Sequence, residues 1–104
     1  MTEAVLQEAI IECARTLGWL VYHTHDSRHS AKGFPDLALV RDGRLVFAEL
    51  KAEGKNPTLD QEAWLLELRT VGTLARPHNE GPRVQAFLWR PDDWLSGRIE
   101  SVLR

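Results

Sequence analysis

The dipeptide Asp42-Gly43, set between two apolar runs, constrains this chain more than any other feature. Both residues tolerate the left-handed backbone of a tight hairpin turn, so residues 35–40 and 45–51 are expected to pair as antiparallel strands. With a two-residue turn Arg41 faces Arg44, and Asp36 falls directly opposite Glu49. Opposed residues share a sheet face, with Cβ atoms about 4.5–5.5 Å apart. Lys51 lies on that face too, two residues beyond Glu49. Leu37, Leu39, Val46, Ala48 and Leu50 form the other face, which reads as core. A three-residue loop bulged at Gly43 would put Asp36 opposite Ala48 and move the two acids to different faces. Both faces are largely apolar near the turn, so the pattern leaves both registers open.

The rest of the chain reads as a frame around this hairpin. Leu6, Ala9, Ile10, Cys13, Ala14 and Leu17 share one face of a helix predicted over residues 3–17, with Gly18 as its stop. Residues 19–24 are β-branched or aromatic and read as a strand, followed by a polar loop to Gly33. Thr58 and Gln61 have the spacing of a capping box, opening a second helix that is expected to end near Val71, before Gly72. Thr73–Pro82 reads as irregular, with room for a short strand at its start. Val84–Trp89 is a last strand, and Pro91 starts a C-terminal helix through Leu103. The order α-β-β-β-α-β-α describes one α/β domain over residues 1–104, a mixed sheet flanked by helices.

Composition bounds the function. One cysteine, Cys13, excludes an internal disulfide framework and a multi-thiolate zinc site; its helix face makes it a small core residue. No apolar run is long enough to span a bilayer and Met1-Thr2-Glu3 is no signal peptide, so a cytoplasmic protein of a bacterium or phage-infected cell is expected. The net charge of −2 argues mildly against nucleic acid. The cations nevertheless gather between Arg15 and Lys55 (Arg28, Lys32, Arg41, Arg44 and Lys51 among them), while acids concentrate in the first helix and the second half. Two facing carboxylates repel unless something positive lies between them. A hard divalent ion such as Mg²⁺ suits oxygen ligands.

Gly33-Phe34-Pro35-Asp36, the hairpin, Glu49-Leu50-Lys51 and Gln61-Glu62-Ala63-Trp64 together resemble the virus-type replication-repair nuclease (VRR-NUC) domain. This is a branch of the PD-(D/E)XK, or restriction-endonuclease-like, superfamily. The resemblance resumes at Ala86–Trp94 and covers most of the chain. Thr73–Arg83 departs from it, being longer than the family usually has there. Its Arg76, His78 and Arg83 read equally as DNA or subunit contacts and as a plain surface excursion. The resemblance implies a restriction-endonuclease-like core and a Mg²⁺- or Mn²⁺-dependent endonuclease that hydrolyses phosphodiester bonds. It implies that Asp36, Glu49 and the backbone carbonyl of Leu50 bind the ion, with Glu3 on the first helix as a further ligand. Lys51 would orient the attacking water, and Gln61 matches the family's active-site glutamine.

Competing readings stand beside these. Glu3 is also an ordinary acid in a first helical turn, favoured by the helix dipole, and Gln61 suits a capping box equally well. His23, His25 and His29 lack a fourth zinc ligand. Arg28, His29, Lys32 and Lys55 are candidate phosphate contacts or merely a solvated polar surface. Freestanding members of the family resemble junction resolvases, so the implied substrate is branched DNA, a Holliday junction or flap, cut by a homodimer. The alternatives are an accessory nuclease dependent on a helicase or other replication or repair protein, a non-catalytic nucleic-acid-binding module that keeps the fold, and a protein-interaction domain.

Overall fold

A computed structural model describes residues 1–24, 30–75 and 81–104. Its elements run α1 (Glu3–Thr16), β1 (Leu20–His23), β2 (Leu37–Arg41), β3 (Arg44–Leu50), α2 (Leu59–Leu74), β4 (Val84–Trp89), α3 (Pro91–Leu95) and α4 (Arg98–Leu103). The four strands form one sheet in the order β1-β2-β3-β4. The first two pairings are antiparallel, and β3 pairs β4 in parallel. The parallel step requires a crossover, which α2 supplies.

The turn is the two-residue kind. Asp42 (φ 50°) and Gly43 (φ 78°) both take left-handed backbone, the signature of a type I′ turn. Arg41 pairs with Arg44 and Leu37 with Ala48, a register that continues to Asp36 opposite Glu49. The bulged alternative is not adopted.

Alternation then sorts the sheet into two faces. Leu37, Leu39, Val46, Ala48, Leu50 and Trp89 pack on one face against Leu6, Ile10 and Ala14 of α1, with Ile99 and Leu103 of α4 closing the core. Among the described residues, the opposite face is covered by α2 and Phe34 over β3 and β4. There Leu65 and Ala86 are buried, and Phe34 meets Phe47 and Trp64 edge-on, at centroid distances of 5.9 and 5.1 Å. The same face over β1 and β2 is open: Leu20, Tyr22 and Val40 are all exposed.

Two boundaries and the role of two arginines differ from the sequence reading. Gly72 does not stop α2, which runs on to Leu74 and leaves no strand at Thr73. A Cβ on Gly72 would lie 2.0 Å from the Val84 carbonyl oxygen, so this glycine allows helix and strand to touch. The C-terminal helix is two short helices, parted at Gly97 (φ 81°). Finally, Arg41 and Arg44 do not extend a basic surface. Both guanidiniums stack on the Trp19 ring, 4.7 and 5.2 Å from its centroid. Arg41 donates to the carbonyls of Leu17 (3.0 Å) and Leu103 (2.9 Å), and Arg44 to that of Val102 (3.2 Å). They satisfy the carbonyls that helix ends leave without partners.

Candidate active site

The fold gathers the predicted acids at one end of the central strands. Asp36 sits one residue ahead of β2, where its carbonyl accepts from Thr24 N at 3.1 Å and extends the β1–β2 ladder. Its side chain reaches across to β3, where Oδ2 accepts from Leu50 N at 2.8 Å. Glu49 is 3 % exposed, the only buried charged residue among those described. Its Oε1 accepts from Gln61 Nε2 at 3.2 Å. Its Oε2 is buried with no partner among the described residues, an arrangement that costs free energy unless something fills it.

Burial, first, and then the facing Asp36 carboxylate push the Glu49 carboxyl up to about 9 from an ordinary 4.5. A hydrogen bond with Asp36 and the charge of Glu3 add to this, while Lys51 pulls it down. Ionised carboxylates only accept, so the two acids can bond only through a shared proton. Without that proton, or a cation in its place, the two carboxylates repel.

The residues after Glu49 complete the group. Lys51 N donates to the Trp89 carbonyl of β4 at 3.0 Å. Across a trans peptide the preceding C=O points the opposite way, and among the described residues no peptide bond is cis. The Leu50 carbonyl is therefore directed towards β2 and Asp36. Alternation returns the Lys51 side chain to the face of Glu49. The turn beyond is braced from the C-terminal region, a role unread in the sequence: Glu53 Oε1 accepts from Asp92 N (2.8 Å) and Arg90 donates to the Lys55 carbonyl (2.9 Å). An acid ahead of a helix N-terminus is a general signal for such a contact, but its partner helix is remote in sequence.

Gln61 combines its two readings. Its Oε1 accepts from Thr58 N at 2.8 Å and its backbone N donates to Thr58 Oγ1 at 3.2 Å, a complete capping box, while Nε2 reaches Glu49. Glu3 also comes to this end, where Oε2 accepts from Ala52 N at 3.1 Å. Of the predicted phosphate contacts, Lys32 is exposed and lies 3.5 Å from Asp60, and Lys55 is exposed in the turn after Lys51. Arg28 and His29, with His25, Arg76 and His78, lie outside the described residues.

Asp36, Glu49 and the Leu50 carbonyl are hard oxygen donors at one end of the central strands, and one of these oxygens, Glu49 Oε2, is buried with no partner among the described residues. Among the described residues no group of three or more His, Cys, Asp or Glu side chains is assembled to hold an ion. Two carboxylates with a carbonyl would suit an ion such as Mg²⁺, which keeps several waters and is bound through one or two carboxylates together with a phosphate. Among the described residues no helix is long and apolar enough to cross a membrane. No family model, no curated protein and no solved structure matches the chain.

Proposed function

We propose that this chain is a divalent-metal-dependent endonuclease of the PD-(D/E)XK type, on a restriction-endonuclease-like core of the VRR-NUC branch. The observation that carries the reading is the buried Glu49 carboxyl beside Asp36, whose Oε2 has no partner among the described residues. A carboxylate pair is costly in a modest core, and a bound cation removes the cost. Asp36, Glu49 and the Leu50 carbonyl would hold Mg²⁺ or Mn²⁺, with Glu3 close by. When bound, such an ion supplies Lewis acidity and a bound water of lowered pKa.

The chain's own residues do the rest. Lys51 presents a compact, strongly hydrated charge beside Glu49, suited to orienting a water and to stabilising negative charge as it develops on a phosphate. Gln61 holds Oε1 of Glu49, and the turn after Lys51 is fastened at both Glu53 and Lys55. A water oxygen bonds to phosphorus as a P–O ester bond breaks; the water gives up one proton to solvent and the leaving oxygen takes one up from solvent, leaving a phosphate monoester and a free hydroxyl.

We further propose that the substrate is branched DNA and that the protein works as a homodimer, its two sites cutting paired strands of one junction. The exposed apolar face of the edge strand β1 supports a second copy as partner. Cleavage of labelled single-stranded, duplex, flap and four-way-junction DNA with Mg²⁺, Mn²⁺ or EDTA tests the reading. Metal-dependent cutting that Lys51→Ala abolishes is expected. Junction binding without cutting would favour a partner-dependent or non-catalytic module, and no binding at all would sink the nuclease reading.

A further inference from the structure

We propose that Thr58 is a positioning residue for the carboxylate pair: its capping box fixes which end of the Gln61 amide faces Glu49, leaving Glu49 Oε2 as the oxygen offered to a cation. The inference rests on the nuclease reading for the cation, and on geometry alone for the amide. The backbone N–H of Thr58 can only donate, and it lies 2.8 Å from one end of the Gln61 amide. That end must be the oxygen. The NH₂ is then turned towards Glu49 Oε1, 3.2 Å away. Rotating the amide would set two donors together at Thr58 and two acceptors together at Glu49, so both contacts oppose it.

The second half of the box, Gln61 N to Thr58 Oγ1 at 3.2 Å, holds the first turn of α2 in place so that the amide spans both partners. A glutamate would close such a box as well as a glutamine does. Only glutamine can also donate to a buried carboxylate. The result divides the labour of Glu49: Oε1 accepts from Gln61, and Oε2, with no partner among the described residues, is left for a cation shared with Asp36 and the Leu50 carbonyl. A residue whose capping bonds go to Gln61 thereby decides how Glu49 presents itself.

Two readouts on the full chain test this, neither needing activity. One is the side-chain NH₂ resonance pair of Gln61 in ¹⁵N-labelled protein, and the other is Mn²⁺ affinity followed by the electron paramagnetic resonance of free Mn²⁺. In wild type the proton facing Glu49 is expected to be shifted downfield and protected from exchange. Thr58→Ala keeps the backbone N–H but removes Oγ1, so the first turn of α2 loses its anchor and the amide no longer spans both partners. The separation of the NH₂ pair should then narrow and Mn²⁺ binding weaken by about tenfold; Thr58→Ser, which keeps the hydroxyl, should restore both. If Thr58→Ala lowers the melting temperature but leaves the resonances and the affinity unchanged, the cap is only structural and the proposal is overturned. A wild-type chain that binds no Mn²⁺ would overturn the nuclease reading and the cation half of this proposal. The amide signature would still decide whether Thr58 orients Gln61.

Discussion

Glu49 is a carboxylate placed where a carboxylate is hardest to keep charged. Its folded-state pKa of about 9 stands above the ordinary 4.5. Between those values the unfolded chain has released the proton and the folded chain still holds it. Folding is therefore favoured by low pH, and the metal-free protein should lose stability as pH rises through that window, with a slope approaching one proton per molecule. Glu49→Gln should flatten the slope, as measured by thermal melts in EDTA. An unchanged slope would mean that Glu49 is ionised in the folded state. Asp36→Asn relieves the facing charge by a different route, and it should shift the same window downward while abolishing metal binding.

At the scale of elements, two contacts hold the frame that brings the acids together. Gly72 lets α2 lie against β4, and Gly72→Ala would drive a methyl group into the Val84 carbonyl. A loss of about 2 kcal/mol is expected in urea unfolding, in the range for overpacking a tight contact. The hairpin tip is fastened to the C-terminus by Arg41, which donates to two carbonyls and stacks on Trp19. Arg41→Met keeps much of the stem but strands both acceptors, and a loss of about 2 kcal/mol is again expected. Lys32 with Asp60 is an exposed pair, and Lys32→Ala should leave stability nearly unchanged.

For the whole molecule, the uneven cover of the sheet matters most. α2 shelters β3 and β4, whereas Leu20 faces Val40 across the β1–β2 ladder with both side chains in solvent. Tyr22 follows on the same face at 60 % exposure, next to Ala38. In a chain of 104 residues with a modest core, covering this face with a second copy would add the apolar burial that a small domain lacks. Sedimentation velocity should find a dimer that Leu20→Lys with Tyr22→Lys converts to a folded monomer. A wild-type monomer at micromolar concentration would remove the two-site picture of junction cleavage.

The hairpin and the identity of its acids were legible in the sequence, because turn chemistry and two-residue alternation are local rules that need no partner. Asp42-Gly43 announced the turn, the spacing from the turn put Asp36 and Glu49 across from each other in one of two registers, and the Thr58–Gln61 spacing announced the cap. What the tertiary structure decided was everything that depends on contact between remote segments. Gly72 reads as a helix stop until Val84 is seen against it, and Arg41 and Arg44 read as surface charge until Trp19 and the C-terminal carbonyls are brought to them. The burial that raises the pKa of Glu49 likewise appears only when α2 closes over β3. Local propensity is written residue by residue, whereas desolvation and close approach belong to pairs of residues that only the folded chain brings together.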